Sequence, residues 1–593
     1  MKEFFKNIIC GEIAIRFFLP FELKKRESFP PALLEDYLKW VNYEAMGFVH
    51  EFMEAEKLSD SNFIKGLNRV FQTQRFNIFL GGSLMEYMLK IFSFLGDHAL
   101  LKVQQIVLED NPIHRFCVKK FLEKFKIQPH IQWKKVHWPE RLFQITCNAA
   151  VCLGISLNSG LFWGKRKRRF KILREALWGL NHHHRNYFRD DFIVDHHKIQ
   201  QHDLLLFSRG FPRESGRLNG YLDAKSSGYE HFDLKKISLG IGPLLQRVIP
   251  KYLVAGHSLL LGEWNSPYFT WYRALMLNFF IFALPYEKIF THYEIISHLG
   301  HNFSSTHHIA EAIICENHGT RYYLMHWSDM SIESYHWVVS FLGCDQFLVW
   351  GEKHLADPQM PHVKTGYVFK GMIKKAIHEK DSLKSEMNLP VHRKIVTFFD
   401  ESFTDLCQMT PSHFVNLWKA ALHFAVTHPQ VTVVVKSKDF DRVQLLPTTL
   451  KEKFAEIQQQ AQGLANFYIF NSKKYSFIEA IGISDVVITQ GMTSSATIAI
   501  ICGVEGLYFD QVPYRHPFTK DFKDKIVFDD SKKLCVMVEK ILEGRESPRR
   551  AIPEKLLRGY DAYDDDRGLD IFRDVLTGKF QETPQREAAD AIV

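Results

Sequence analysis

The stretch 484–503 limits most strongly what this chain can fold into. It holds the apolar β-branched run 486–488, which is typical of a parallel strand covered on both faces. Gly491 allows a tight turn, and the hydroxyl residues 493–495 stand where a helix would begin. A helix N-terminus presents free N–H groups and the positive end of a dipole, and it therefore suits a phosphate. An ordinary Ser/Thr N-cap is the alternative.

The composition is that of a globular protein with more than one domain. Of 593 residues, 46% are hydrophobic and 24% are charged, and single cores rarely grow beyond about 300 residues. The formal charge of +8 is small for a nucleic-acid binder, so no nucleic-acid partner is expected. It suits anionic lipid, nucleotide phosphates or an acidic polymer. The 9 cysteines are scattered without a CxxC pair, which indicates reduced thiols and a cytosolic protein.

The N-terminal part of the chain is predicted to be helical and amphipathic over residues 1–75. Such a helix either lies on a membrane surface or packs on the next domain. Residues 1–25 have no clean apolar core or cleavage site, so no secretory signal is expected. The longest uncharged apolar stretch, 274–286, is too short to cross a bilayer, and we expect the chain not to span a membrane.

From residue 76 onward, short apolar strands alternate with helical segments. This alternation predicts an α/β fold with parallel sheets and helices on both faces. The pattern ends near Gly366 and begins again after Pro390, so we predict two Rossmann-like domains that face a cleft. The predicted divisions are a helical N-terminal region at 1–75, a first domain at 76–370, a second domain at 371–550, and a C-terminal helix with a disordered tail at 551–593.

Several stretches of the first domain carry predictions that depend on local composition. The apolar runs 76–80 and 288–293 are predicted as strands. The basic run 165–169 is predicted as a solvated loop or helix face, with contact to anionic lipid or a polyanionic acceptor as the alternative. The histidines at 182–184 and 196–197 lie near acidic residues, but their spacing fits no standard zinc site. We predict no metal there.

Polar residues follow many of the predicted strands, and ligands of open α/β sheets bind at those carboxyl ends. Lysine and hydroxyl groups near a helix N-terminus suit a diphosphate, and histidine suits proton transfer near neutral pH. In the second domain the residues are Asp400, Glu401, Lys436, Ser437, Lys438, Asn471, Ser472, Gln490, Gly491, Thr493, Ser494, Ser495 and Asp510. In the first domain they are His292, His307, His308, His326, Trp327, Ser328 and Asp329.

Five short motifs give the chain a resemblance to known proteins. They are Lys364-Thr-Gly-Tyr-Val368, Val433-Val-Val-Lys-Ser437, Ser484-Asp-Val-Val-Ile-Thr489 with Thr493-Ser-Ser495, Tyr508-Phe-Asp510, and the acidic segment Gly559–Arg567. In these motifs the chain resembles the GT-B class of glycosyltransferases. It is most similar to bacterial enzymes of surface-polysaccharide synthesis, the capsule-type and CDP-glycerol glycerophosphotransferase-like branch. The resemblance covers residues 285–577.

The resemblance implies a role for the polar residues. Thr493, Ser494 and Ser495 would hold the donor phosphates with Lys436, and residues 471–476 would lie near the nucleotide base. His326 matches the place of a His-Gly pair in related transferases, but Trp327 follows it here. The Glu-x7-Glu pair of retaining enzymes is absent. The implied reaction is an inverting transfer, and the implied base is His326, His307 or His292, with Asp329 and Glu311 behind them.

The resemblance also implies the substrates. The donor is a nucleotide-activated sugar, with no separate cofactor and no metal, and the acceptor is a surface polysaccharide or a lipid-linked glycan. The expected location is the cytoplasm, with peripheral contact at the anionic inner face of the plasma membrane as an extension. Two other functions stay open. One is a nucleotide-sugar 2-epimerase of the same fold, and the other is a non-catalytic relative that binds a glycan or a partner.

Overall fold

A computed structural model describes most of the chain between residues 48 and 580. The described ranges are 48–49, 51–58, 61–76, 78–80, 83–84, 88, 91, 106–125, 131–135, 137–158, 161–162, 168–175, 193–194, 198–208, 228–233, 239–241, 244–300, 307–326, 328, 342–355, 360–401, 411–438, 443–444, 446–472, 474–491, 493–511 and 521–580.

Within these ranges, strands and helices alternate over most of the chain. The strands are β1 (Ile106–Glu109), β2 (Ile131–Lys134), β3 (Leu161–Phe162), β4 (Arg168–Glu175), β5 (Leu204–Ser208), β6 (Glu230–Asp233), β7 (Leu239–Gly240), β8 (Tyr293–Gly300), β9 (Arg321–Met325), β10 (Gln346–Val349), β11 (His362–Lys364), β12 (Ile395–Phe399), β13 (Thr432–Lys436), β14 (Phe467–Ile469), β15 (Val486–Gln490), β16 (Glu505–Phe509) and β17 (Val527–Phe528). The α-helices are α1 (Asn62–Phe71), α2 (Pro112–Phe125), α3 (Trp138–Asn158), α4 (Gly256–Gly262), α5 (Phe269–His292), α6 (His307–Asn317), α7 (Lys370–His378), α8 (Lys380–Glu386), α9 (Pro411–Thr427), α10 (Thr448–Gln462), α11 (Phe477–Ile483), α12 (Ser494–Ile501), α13 (Ser531–Leu542), α14 (Glu554–Tyr560) and α15 (Gly568–Leu576).

The second domain is built on a six-stranded sheet in the order β14-β13-β12-β15-β16-β17. Every neighbouring pair is parallel. Counted along the chain within this sheet, the order is 3-2-1-4-5-6, the order of a Rossmann fold. The central strands β12 and β15 are buried along their whole length, as expected where helices cover both faces. The order reverses between these two strands.

The first domain is built on a seven-stranded parallel sheet in the order β11-β10-β9-β8-β4-β5-β6. Its order reverses between β4 and β8. The two sheets confirm the predicted fold, a pair of Rossmann-like α/β domains. β11 of the first sheet ends at Lys364 and β12 of the second begins at Ile395, and the division predicted at residue 370 stays a prediction.

The central position of β4 corrects the prediction for the basic run. Arg168 and Arg169 begin this strand and do not lie in a loop or helix. Their charges are met by glutamates on other strands of the sheet, since the Arg168 guanidinium lies 2.9 Å from Glu230 on β6 and that of Arg169 lies 3.6 Å from Glu294 on β8. Both side chains are exposed, as predicted, but the strand was missed because pairing between strands is not visible in local composition. The rest of it, 163–167, lies outside the described residues.

Two predicted strands are helical. Residues 76 and 78–80 form helix, and 288–292 form the last turn of α5. The apolar residues Phe279, Ala283, Tyr286 and Phe290 are all buried and keep helical spacing, so packing of one helix face continues past Pro285. Short apolar runs do not distinguish a buried helix from a buried strand, which explains both errors.

The N-terminal region is helical where it is described, and α1 begins at a Ser61 N-cap that accepts from the Ile64 N–H. Residues 1–47 and the predicted disordered tail beyond 580 lie outside the described residues. Among those described, α5 alone is long and apolar enough to span a membrane by length and composition, and 56% of its most apolar window is buried inside the protein.

The two domains meet at a buried junction, where Trp350 and Val363 of the first domain belong to the same core cluster as Ile478 of the second. α7 packs on α11 so closely that a Cβ at Gly482 would lie 2.5 Å from Ala376. Next to it, the Lys370 ammonium donates to the Asp561 carboxylate at 2.6 Å and to the Tyr563 carbonyl at 2.7 Å. Lys370 and Asp561 are only 5% exposed or less. Burial raises the pKa of Asp561 even beside this ammonium, so the pair lies in a poorly hydrated place.

We expect Lys370→Met to lower the free energy of unfolding by about 3–5 kcal/mol, because it leaves the Asp561 carboxyl buried without its partner. Urea unfolding of the purified protein measures this. Arg558→Met is the control. It removes a more exposed cation from the C-terminal segment that carries Asp561, and it should change stability little. Equal stabilities for the two variants would contradict the assignment of the junction to this pair.

Candidate functional site

The carboxyl edges of the two sheets face each other. Ser328 follows β9 of the first sheet, and Ser494 begins α12, which follows β15 of the second. The Ser328 hydroxyl donates to the Ser494 hydroxyl at 2.9 Å across 166 residues of sequence. In a parallel sheet all strands end at one edge, and open α/β sheets bind ligands there, where the strand order reverses. The predicted cleft lies between these two edges.

The donor-side helix start is built by the turn after β15. Gly491 has φ of +60°, a conformation that favours glycine. Its N–H donates to the Phe509 carbonyl at 2.8 Å, and its carbonyl accepts from the Thr489 hydroxyl at 3.2 Å. Thr493 is the N-cap of α12 but makes no side-chain cap hydrogen bond. Among the described residues, the first-turn N–H groups of α12 therefore lie at the cleft edge without a hydrogen bond from the N-cap side chain.

Asp400 ties the turns after β12 and β13 together. Its carboxylate accepts from the Lys438 N–H at 2.6 Å and from the Trp418 indole N–H at 3.2 Å. Burial raises the pKa of Asp400 to about 6, against the lowering effect of these hydrogen bonds. Glu401 forms an ion pair with Lys438. These contacts hold the backbone at the point where the strand order of the second sheet reverses.

Two further groups lie at the same edge. Burial lowers the pKa of Lys436, and the nearby Asp400 opposes that effect. Gln490 is 2% exposed and accepts from the Glu401 N–H at 3.1 Å. Within the described part of the chain its side-chain Nε2 has no hydrogen-bond partner. A buried donor without an acceptor costs about 1–3 kcal/mol, so this edge favours a ligand that supplies one.

The other predicted donor-side residues extend this arc along the edge. The Ser472 hydroxyl donates to the Ser437 carbonyl at 3.2 Å, and the Asn471 carbonyl accepts from the N–H of Tyr475 at 3.0 Å. At the other end, Asp510 is buried, and its N–H donates to the Phe528 carbonyl at 2.8 Å. Ser495 is partly buried in the first turn of α12. The predicted set thus follows one sheet edge from β14 to β16.

His307 lies at the corresponding place in the first domain. It is the first residue of α6, which follows β8, one of the two strands between which the first sheet reverses. The side chain is partly buried, and its ring centroid lies 4.0 Å from that of Phe282. His307 therefore lies beyond the carboxyl end of β8, at the edge of the first sheet to which Ser328 also belongs.

The other two predicted histidines lie elsewhere. His292 is the last residue of α5 and precedes β8, so the length of that strand, roughly 25 Å, separates it from the cleft edge. This corrects the prediction that it ends a strand. His326 is at the cleft edge but only 1% exposed. Burial lowers its pKa well below the ordinary value, and the neighbouring His354 adds to this.

A buried polar network lies beneath α6. The sequence predicted a role for Glu311 but not for its partners His298 and Tyr322. The Glu311 carboxylate accepts from the Tyr322 hydroxyl at 2.8 Å and lies 3.2 Å from His298 Nε2. The Nδ1 of His298 lies 3.2 Å from the Leu173 carbonyl on β4. This network ties the start of α6 to three strands. Glu311 lies one turn after His307 on the same helix face. That spacing was the sequence pattern that could have indicated a link between the two residues.

Several predicted residues lie outside the described residues. They include Asp329 and the histidines at 182–184 and 196–197. Among the residues that the structure does describe, no three His, Cys, Asp or Glu side chains are grouped as a metal site. The predictions of no metal and no cofactor stay predictions.

No protein-family model matches the chain, and no curated protein matches it. Several solved structures are similar to it. UDP-GlcNAc 2-epimerase from Neisseria meningitidis, bound to UDP-GlcNAc, is 10% identical with a TM-score of 0.41, and the match covers 69% of this chain and 100% of the epimerase. The wall teichoic acid polymerase TagF is 10% identical with a TM-score of 0.40, over 74% of this chain and 94% of the polymerase.

A third similar structure is the UDP-forming α,α-trehalose-phosphate synthase from Burkholderia vietnamiensis, 12% identical with a TM-score of 0.37, over 70% of this chain and 100% of the synthase. The three include both enzyme classes named from sequence, transferases and a 2-epimerase. Such distant similarity does not say what this chain does. Its fold is established by its own strand order and pairing.

We expect the stability of the protein to depend on pH through Asp400. Its pKa is raised to about 6 in the folded state from an ordinary 3.8, so the folded state keeps a proton that the unfolded chain has released. Stability from this group is therefore lost as pH rises from about 4 to about 7. The free energy of unfolding of the wild type minus that of Asp400→Asn should fall by about 3 kcal/mol over that range.

Denaturant unfolding at several pH values measures this difference. Asp521→Asn, which replaces an exposed aspartate of the same domain, is the control for pH effects common to all variants. The opposing result is that the wild type and Asp400→Asn differ in free energy of unfolding by the same amount at pH 4 and pH 7. That result would show that burial does not raise the pKa of Asp400 in the folded protein.

Proposed function

We propose that this protein transfers a sugar or phosphosugar from a nucleotide-activated donor to a glycan or glycolipid acceptor of surface-polysaccharide synthesis. One observation carries the proposal. At the reversal point of the second sheet, an uncapped helix N-terminus, hydroxyls and Lys436 converge on an edge that the first domain meets at Ser328. This is the arrangement that a diphosphate between two domains requires.

The donor side would act on the leaving group. For a sugar donor, an acceptor hydroxyl oxygen attacks the anomeric carbon, the bond from that carbon to the phosphate oxygen breaks, and its electron pair leaves with the nucleoside diphosphate. The N–H groups of α12, the hydroxyls of Ser494 and Ser495, and Lys436 would stabilise the charge that develops. Because this set supplies positive potential from the protein itself, we propose a reaction that needs no metal.

The acceptor side would supply the base. His307 is favoured because it begins α6 at the reversal point of the first sheet, opposite the donor edge. An imidazole there can take the acceptor proton near neutral pH. The Glu311 network would hold α6, and with it His307, against β8 and β9. His292 lies at the far end of β8, and His326 is buried, so neither is preferred.

The location follows from the acceptor. A cytoplasmic protein that works at the inner face of the plasma membrane would meet both a soluble nucleotide donor and a lipid-linked acceptor. The mild positive charge of the chain supports contact with anionic lipid. This part of the proposal rests on charge and on the sequence resemblance.

We expect one class of nucleotide or nucleotide sugar to raise the thermal unfolding temperature of the protein. With Ser494→Ala and Ser495→Ala combined, binding of that ligand in calorimetry should be lost, because both hydroxyls next to the helix start are gone. The circular dichroism spectrum should stay unchanged.

Unaltered nucleotide affinity in the double variant would contradict a phosphate site at α12. A wild type that responds to no nucleotide would favour a non-catalytic relative, and epimerised sugar formed without any acceptor would favour a 2-epimerase.

We expect His307→Ala to lower the transfer rate by about 10²- to 10⁴-fold, the usual contribution of a general base, with donor affinity little changed. The substitution His292→Ala, at the opposite end of β8, should leave the rate as it is. Initial rates with the donor found above, measured from pH 5 to 9, test both variants. A loss of activity in His292→Ala equal to that in His307→Ala would overturn this assignment.

A further inference from the structure

The hydrogen bond between Ser328 and Ser494 joins the two domains at the N-terminus of α12. Ser494 is the first residue of α12, where the helix dipole favours a negative charge. The neighbouring group that fills this position is the neutral Ser328 hydroxyl, at 2.9 Å. A hydroxyl pair of this kind contributes only about 0.5–1.5 kcal/mol net. An anion at the same point would meet both hydroxyls and the helix start.

A second observation also indicates a ligand at this edge. Gln490 ends β15, one residue before the turn that leads into α12, and its buried Nε2 has no hydrogen-bond partner among the described residues. Amide N–H groups suit phosphate oxygens as acceptors. Gln490 and Ser494 thus lie at the two ends of one short turn, and Gln490 carries a buried donor that lacks an acceptor among the described residues.

We propose that Ser328 binds the donor diphosphate together with Ser494, so that one phosphoryl group is held by both domains. This rests on the proposed function and adds a residue of the first domain to the donor site. Two hydroxyl oxygens 2.9 Å apart are close enough to donate to the same phosphoryl group. In the free protein one of the two hydroxyls must accept, whereas phosphate oxygens let both donate. Bound donor would therefore favour the arrangement in which Ser328 and Ser494 are in contact.

The test is a double-mutant cycle on the full-length protein. Calorimetry with UDP, CDP, GDP, ADP and inorganic pyrophosphate is carried out on wild type, Ser328→Ala, Ser494→Ala and the double variant. Ser328→Thr keeps the hydroxyl and tests rescue. Ser531→Ala is the matched control, because Ser531 is also the first residue of a helix but is capped by Asp530. Thermal unfolding verifies that each variant folds.

We expect each alanine to weaken binding of the preferred diphosphate about tenfold, as for loss of a hydrogen bond to a charged group. The double variant should lose less than the product of the two effects, since both hydroxyls act on one group. Ser328→Thr should restore affinity, and Ser531→Ala should not change it.

Two results would count against the proposal in different ways. If Ser494→Ala weakens binding and Ser328→Ala does not, then Ser328 takes no part in the donor site, while the proposed function stands. If the wild type binds none of the diphosphates, the proposed function itself fails, and the shared site fails with it. Effects of the two alanines that simply multiply would also overturn a shared phosphoryl group.

Discussion

Parallel strand pairing is the constraint on which the rest of this structure depends. Because every strand of the two larger sheets runs in the same direction as its neighbours, each strand-to-helix turn of a domain opens at one edge. The turns after β12, β13 and β15 therefore become neighbours although they lie far apart in the chain. The contacts Asp400 to Lys438 and Gln490 to Glu401 hold them in that arrangement.

Burial gives this edge its electrostatic character. It raises the pKa of Asp400 and lowers that of Lys436, so both groups are drawn toward their neutral forms. Asp400 is held by neighbouring N–H donors, including those of Lys438 and Trp418, and its role is to shape the turn. Among the described residues the Nε2 of Gln490 has no hydrogen-bond partner, and burial disfavours the charged form of Lys436, so an incoming anion would stabilise both groups. Asp400 thus stabilises the turn, whereas Lys436 is available to an anionic ligand.

The sequence predicted the second domain well because its strands are buried on both faces and read as continuous apolar runs. In the first domain, the central strand β4 begins with Arg168 and Arg169, whose partners Glu230 and Glu294 come from other strands. No local pattern shows such pairing. His292 was misplaced for a related reason, since the helical packing of α5 continues through a segment that local composition assigns to a strand. The sequence placed Ser328 after a predicted strand of the first domain, but its contact with Ser494 was not predicted, because that contact exists only once the two domains meet.

The two domains are joined by connections of very different strength. At the junction, the buried Lys370–Asp561 pair and the close packing of α7 on α11 would cost several kcal/mol to break. At the cleft, Ser328 and Ser494 share one neutral hydrogen bond, worth about 0.5–1.5 kcal/mol net. Of these two contacts, the one at the cleft therefore costs less free energy to break than the one at the junction. The weak contact lies where a ligand must enter, and the strong one lies where the domains must stay together.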